Sequence, residues 1–316
     1  MAPTPTLALP DSYSALPFSV IKVSHHPASS PSPTPILILT LNRPKAYNAF
    51  NFEMQKEVEQ VMTLADIDDR VKVIVVTGQG RMFCAGADLG GDKPAFQRSA
   101  KIRTPDQRDG GGQMSYSIFR CRKPVIGAIQ GSAVGIGITM TLPMTIRITS
   151  KTAKIGFVFA RRGLVMEAMS SFFLPRLIGM SRALHLVSTG ATYFANHKLL
   201  DGLFSEVLDT PEQVLPRAIE LAEEIASNCS SVSVMLMKEM MYRNPGSAEG
   251  THLLDSKIIW ELYGSSDNTE GVKSFIEKRP VNFTGSVIMD APGTYPWWEQ
   301  IAVVPRTMPA PGKPKL

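Results

Sequence analysis

Short apolar stretches alternate with helical segments over the first two thirds of this chain, and this alternation limits the possible folds more than any other feature. Val71–Val76 is β-branched and apolar apart from Lys72, which is typical of a strand covered on both faces. Apolar residues recur at helical spacing just before it, between residues 50 and 65. Further strand-like stretches follow at Val125–Ile129, Ile146–Ile148, Ile155–Phe159 and Phe204–Leu208. Strands that alternate with helices predict an α/β fold with a mostly parallel sheet.

After Leu208 the pattern becomes helical. Apolar spacing predicts one helix from Val214 to Ile225 and three more before residue 283. We therefore divide the chain into an irregular N-terminal segment (1–17), an α/β core (18–210), a helical region (211–283) and an irregular tail (284–316).

Composition excludes several classes of protein. Of the 316 residues, 44% are hydrophobic and 19% are charged, which excludes a wholly disordered, collagen-like or coiled-coil chain. The net charge of +5 suits an anionic ligand, but the basic residues are scattered, so nucleic acid is not an expected partner. Cys84, Cys121 and Cys229 have no metal-ligand spacing, which predicts no metal site and a reducing compartment. No apolar run approaches the ~20 residues that a membrane-spanning helix needs.

Two glycine-containing turns follow predicted strands. The first is Arg81–Leu89 (RMFCAGADL) and the second is Gly131–Gly137 (GSAVGIG). Small residues at the end of a strand let the backbone approach a ligand closely. The second turn runs into a plausible helix start at Ile138–Leu142, where free N–H groups favour an anion. Such turns can also be purely structural, so their spacing leaves both interpretations open.

Three motifs in order resemble the enoyl-CoA hydratase/isomerase (crotonase) family: Leu41–Ala49 (LNRPKAYNA), Phe83–Leu89 (FCAGADL) and Gly131–Gly137. The resemblance covers roughly residues 18–283. It implies a crotonase (ClpP-like) spiral of ββα units with a C-terminal helical trimerisation region, and a homotrimer or hexamer. It also implies an enoyl-CoA thioester substrate and no separate cofactor, since CoA is part of the substrate.

The resemblance also implies where the site lies. The backbone N–H groups of Ala87 and Ile136 map to an oxyanion hole, which stabilises the enolate formed when a proton leaves the carbon next to the thioester. Other residues map to the stretches that contact CoA: Lys45, Ala46, Ala85, Asp88, Leu89 and Gly135.

Carboxylates decide which reaction such a site performs. The two glutamates of the family's hydratases map to Thr139 and Phe159, neither of which is acidic. The segment Arg161–Ala168 (RRGLVMEA) instead resembles the peroxisomal Δ3,Δ2-enoyl-CoA isomerases, whose catalytic base maps to Glu167. One carboxylate can take a proton from C2 and return it at C4. An apolar setting predicts a raised pKa for Glu167; a glutamate in the first turn of a helix, stabilised by its dipole, is the structural alternative.

The sequence thus predicts an enzyme that moves a double bond from the 3 to the 2 position in fatty-acyl metabolism. Two alternatives stay open: an enoyl-CoA hydratase of specialised fatty acyl (secondary metabolite) biosynthesis, and a non-catalytic CoA-binding paralogue. Gly110-Gly111-Gly112 is interpreted as a loop over the acyl site or a linker. The ending Pro314-Lys315-Leu316 is a variant of the Ser-Lys-Leu peroxisomal address, which predicts a peroxisomal location and an import receptor as partner.

Overall fold

Two β-sheets form the framework of residues 8–90, 96 and 107–303, the part of the chain that the computed structural model describes. The strands are β1 (Ile21–His26), β2 (Ile36–Leu41), β3 (Val73–Gly78), β4 (Met82–Cys84), β5 (Val125–Ile129), β6 (Ser132–Val134), β7 (Ile146–Ser150), β8 (Lys154–Gly156), β9 (Thr192–Phe194) and β10 (Glu206–Leu208). The larger sheet has the order β1-β2-β3-β5-β7-β10 and is parallel except for the β1–β2 pair. The smaller sheet has the order β4-β6-β8-β9.

Helices follow the strands and then form the C-terminal region. They are α1 (Phe52–Ile67), α2 (Gly110–Arg120), α3 (Ile136–Thr139), α4 (Ser170–Ile178), α5 (Met180–Thr189), α6 (Val214–Asn228), α7 (Ser231–Tyr242), α8 (Ala248–Leu262) and α9 (Ser266–Glu277). Among the described residues, no helix is both long and apolar enough to cross a membrane.

The strands repeat in pairs along the chain. Each of β3, β5 and β7 in the larger sheet leads within a few residues to β4, β6 or β8 in the smaller one. The parallel pairing of β4 with β6 and of β6 with β8 stacks these turns in order. The result is a spiral, and the ends of successive strand pairs lie next to each other.

The central strand β3 is covered on both faces, as its composition predicts. Val73 and Val75 pack in the cluster that contains the buried face of α6, whereas Ile74 and Val76 pack in the main core on the other side. All six residues of β3 are buried. The alternation places two separate apolar layers against one sheet.

Some boundaries differ from those predicted. The strand predicted at Val71–Val76 runs from Val73 to Gly78, and the one predicted at Ile155–Phe159 ends at Gly156. Phe159 instead begins a short 3-10 helix that ends at Arg162.

The interpretation of Gly110-Gly111-Gly112 as a loop is wrong. The three glycines form the first turn of α2, capped by the Asp109 side chain. Each glycine disfavours a helix by about 1 kcal/mol relative to alanine, so helix propensity does not predict that a helix starts here. Neighbouring side chains occupy the space of the missing Cβ atoms: a methyl group on Gly110 would lie 2.5 Å from Oε1 of Gln55.

The tail predicted from residue 284 is irregular, and its described part is attached to the core. The Arg122 guanidinium donates to the Val287 carbonyl, and the Trp297 indole donates to the Arg243 carbonyl. The C-terminal tripeptide lies outside the described residues.

Candidate active site

One cavity of about 990 Å³ brings together the three predicted catalytic residues, Ala87, Ile136 and Glu167. Their side chains or backbones line it together with charged and apolar groups from several elements. These include Arg43, Phe50, Phe52, Glu53, Ala85, Asp88, Leu89, Phe96, Asp109, Gly111, Val158, Phe159, Arg162, Leu164 and Val165.

The backbone N–H of Ala87 points away from the segment at Phe50, with which Ala87 pairs. Ala87 forms a parallel bridge with Phe50, in which the Phe50 amide donates to the Gly86 carbonyl and the Phe50 carbonyl accepts from the Asp88 amide, both at 2.8 Å. In such pairing the intermediate residue turns its own N–H to the opposite side. Gly86 has φ +107°, a conformation that favours glycine, and so produces the turn.

The amide of Ile136 is the first of helix α3 and therefore has no partner within the helix. Gly135, which precedes it, has φ +56° and donates its own amide to the Gly156 carbonyl at 2.9 Å. A methyl group on Gly135 would lie 3.9 Å from Cα of Gly86. The two glycine turns are thus in contact, and the residues after them both line the cavity.

Glu167 lies in the turn before α4 rather than in the first turn of a helix. The next two residues, Ala168 and Met169, have φ +56° and +57°, which is unusual for residues other than glycine. Both the amide and the hydroxyl of Ser170 donate to the Glu167 carbonyl, at 2.9 and 2.5 Å. Such backbone strain is typical of functional sites, and here it fixes the direction of the glutamate.

The carboxyl group of Glu167 is surrounded by groups from two other elements, α3 and the start of α2. Thr139 Oγ1 donates to its Oε1 at 2.6 Å. Its Oε2 lies against Gly111, where a Cβ atom would collide with it and would lie 2.7 Å from Cδ1 of Ile136. The pKa of Glu167 is raised from 4.5 to about 7: burial is the main cause, the Thr139 hydrogen bond lowers the pKa, and the neighbouring Asp109 carboxyl raises it.

An ion pair fixes the other side of the cavity. Arg43 Nη2 donates to Asp88 Oδ2 at 2.6 Å, and this contact lowers the pKa of Asp88. Asn48 is fully buried; its Oδ1 accepts from the Arg43 amide, and its Nδ2 donates to the Met82 carbonyl, at 2.8 and 2.9 Å. Arg43 and Asn48 of the first motif therefore hold this side of the cavity in place through one connected set of hydrogen bonds.

The predicted CoA-contacting residues divide into two groups. Ala85, Asp88 and Leu89 line the cavity. Lys45 and Ala46 lie in the 3-10 helix Pro44–Ala46, outside the lining, with Lys45 exposed. Gly135 positions Ile136 and does not line the cavity itself.

Sequence reasoning missed Asp109, which lines the same cavity as Glu167. The two residues are far apart in sequence, so no local motif links them. The one available signal was an aspartate directly before a helical segment, the pattern of an N-cap. The three glycines after Asp109 concealed that segment's start.

The comparisons with known proteins agree with this architecture. The family model described as "Enoyl-CoA hydratase/isomerase" matches residues 32–286. The chain belongs to the enoyl-CoA hydratase/isomerase family. It is 50% identical over 248 residues to enoyl-CoA hydratase AFT3-1 of Alternaria alternata, which covers 78% of this chain and 82% of that relative.

Two further family members are similar at greater distance. Identity is 32% over 264 residues to the 1,2-epoxyphenylacetyl-CoA isomerase of Escherichia coli (strain K12), covering 79% of this chain and 95% of that one. The crystal structure of enoyl-CoA hydratase from Bacillus anthracis has a TM-score of 0.73 and 28% identity, and it covers 85% of this chain and all of its own. The predicted crotonase fold is confirmed.

Proposed function

We propose that this chain transfers a proton at C2 of an enoyl-CoA thioester, with Glu167 as the proton carrier. The observation that supports this best is a buried carboxyl in the same cavity as the Ala87 and Ile136 amides, with a pKa of about 7. Near neutral pH both protonation states of such a group are populated, so it can give and take a proton.

The two amides are suited to the negative charge that the reaction builds on the thioester oxygen. In an enolate this oxygen becomes anionic, and fixed N–H donors stabilise it without reorganising during the reaction. Loss of one such donor typically raises a barrier by about 3–4 kcal/mol. Because the donors belong to the backbone, an isoleucine can stand at position 136 without removing one.

Apolar side chains at the cavity suit an acyl chain. Phe52, Leu89, Phe96 and Val165 line it and are each more than 60% exposed, a large exposure for residues of this type. An acyl chain that covered them would remove apolar surface from water and gain binding free energy.

We propose hydration of a 2-enoyl-CoA as the reaction, in the assembly of a specialised fatty acyl chain. The sequence analysis placed Δ3 to Δ2 isomerisation first and hydration second. A relative at 50% identity carries the name enoyl-CoA hydratase, which favours hydration.

Isomerisation of a 3-enoyl-CoA is the second candidate. The positions of the hydratases' two glutamates carry Thr139 and Phe159, and a single buried carboxylate suffices to move a double bond. The Escherichia coli relative is named as an isomerase, although of a different CoA thioester.

The assembly and location proposed for the chain follow the sequence expectations. Exposed apolar residues on α8 and α9, among them Trp260 at 73% and Phe275 at 84%, support a homotrimer or hexamer. The tripeptide Pro314-Lys315-Leu316 supports delivery to the peroxisome by an import receptor.

The experiment that tests this function is a product assay with purified protein on matched 2-enoyl-CoA and 3-enoyl-CoA substrates. A 3-hydroxyacyl product from the 2-enoyl substrate supports hydration, whereas conversion of only the 3-enoyl substrate supports isomerisation instead. Glu167→Gln should reduce either turnover at least about 100-fold. Binding of CoA thioesters without turnover of either substrate would contradict an enzymatic function.

A further inference from the structure

The first turn of α2 brings a second carboxylate to Glu167. Asp109 caps this helix, and its Oδ2 accepts from the Gly112 amide at 2.5 Å. A Cβ atom on the preceding residue, Gly111, would collide with Oε2 of Glu167. A methyl group on Gly112 would lie 2.5 Å from Oδ1 of Asp109. Two consecutive glycines therefore leave room for two carboxyl groups, those of Glu167 and Asp109, and both residues line the same cavity.

The other carboxylates of the cavity are arranged differently. Asp88 is engaged by the Arg43 guanidinium and by the Gly90 amide. Glu53 lies in the first turn of α1, on another element. Asp109 is the acid that lies beside Glu167 at the Gly111–Gly112 turn, and its negative charge contributes to the raised pKa of Glu167. Two carboxyls that lie close together share a proton more readily than they carry two charges.

We propose that Asp109 is the second acid of the site and takes the proton from the water that adds to the substrate. This inference rests on the proposed hydration. The pair begins with Glu167 protonated and Asp109 ionised. The water oxygen forms a bond to C3 while Asp109 accepts one of the water protons, and the C2–C3 π electrons move onto the thioester. Glu167 then gives its proton to C2, which completes the 3-hydroxyacyl product.

The position of the two carboxyls at neighbouring glycines also allows the starting state to be restored. After the addition Asp109 carries a proton and Glu167 is ionised. Transfer of that proton from Asp109 to Glu167 returns the pair to its initial form without a further reactant. Thr139, which stands where the family's hydratases have an acid, donates to Oε1 of Glu167, whereas Oε2 lies against Gly111 in the turn that Asp109 caps.

Two reactions separate the role of Asp109 from that of Glu167. Hydration of a 2-enoyl-CoA needs an activated water, whereas exchange of the C2 protons of a saturated acyl-CoA with D2O needs only the base and the oxyanion donors. Both are measured on the full-length protein for Asp109→Asn, Glu167→Gln and the control Asp209→Asn. Asparagine caps helices about as well as aspartate, so the start of α2 is retained. Asp209 pairs with Lys151 at an exposed position.

The expected result is a loss of hydration of about 100-fold or more in Asp109→Asn, with C2 exchange within about threefold of the wild type. Asp109→Glu should recover part of the hydration, and Asp209→Asn should change neither reaction. Full hydration by Asp109→Asn, or an equal loss of both reactions, would overturn the role of Asp109. Wild-type protein that exchanges C2 protons but does not hydrate would overturn it as well. Retention of both reactions by Glu167→Gln would instead contradict the proposed function itself.

Discussion

Replacing Thr139 by valine should move the pH dependence of catalysis to higher pH. Thr139 is fully buried, and its hydroxyl donates to Oε1 of Glu167 at 2.6 Å, so it favours the ionised carboxylate. A hydrogen bond to a charged group contributes about 1.5–3 kcal/mol. Each ~1.4 kcal/mol changes an ionisation equilibrium tenfold. At pH 7 the wild-type carboxyl, with a pKa of about 7, is about half ionised; in Thr139→Val the ionised fraction should fall to roughly a tenth or less.

The assay is the pH profile of C2 proton exchange on a saturated acyl-CoA, which needs the ionised form of Glu167. Activity rises as pH increases through the pKa, so the acid limb of the variant should lie at least about one pH unit above that of the wild type. Cys84, the nearby thiol, stays neutral in this range because burial raises its pKa to about 12, so the acid limb reports the ionisation of Glu167.

A matched control separates this effect from a loss of folding. Thr149 is also fully buried, and its hydroxyl donates to the Ile129 carbonyl at 2.9 Å, outside the cavity. Thr149→Val should cost about 1 kcal/mol of stability and leave the profile unchanged. Superposed profiles of Thr139→Val and the wild type would refute the assignment of Glu167 as the titrating base.

The structure leads to two further predictions, and the C-terminal sequence leads to a third. Gly111→Ala places a methyl group against Oε2 of Glu167, and displacement of the base by about 1 Å should lower turnover about 100-fold. Gly271→Ala is the control: its methyl group would lie 3.4 Å from Phe283, and the variant should keep full turnover. Glu167→Gln should be more stable than the wild type by roughly 3 kcal/mol above pH 8 and equally stable near pH 4.5, measured by urea unfolding. Burial raises the pKa of this group from 4.5 to about 7, so its contribution to stability is lost as pH rises through 7. A fluorescent fusion of the full chain should localise to peroxisomes, and deletion of residues 314–316 should abolish that location; the same location for both fusions would contradict the targeting role.

The fold was predictable where apolar pattern and burial coincide. Val125–Ile129 is a strand with the bounds that its composition predicts, because all five residues are buried between two layers. The helices from Val214 onward were predictable from apolar spacing. The three-residue strands such as Ser132–Val134 were not, because a segment this short has no measurable period.

The site was predictable in part. Ala87, Ile136 and Glu167 were found from motifs and lie together in one cavity; Ala87 and Ile136 each follow a glycine with a positive φ angle, which local sequence specifies. Asp109 could not be found in that way. Its role depends on the packing of the α2 start against the turn before α4, and the Gly110–Gly112 run indicates a loop until the neighbouring side chains that fill its space are known.

The most direct test of this account is the incorporation of deuterium at C2 of a saturated acyl-CoA in D2O, compared between the wild type and Glu167→Gln. The wild type should exchange these protons, and the variant should do so at least about 100-fold more slowly while it still binds the thioester. Exchange at the wild-type rate in Glu167→Gln would contradict the central claim that this carboxyl group moves the proton.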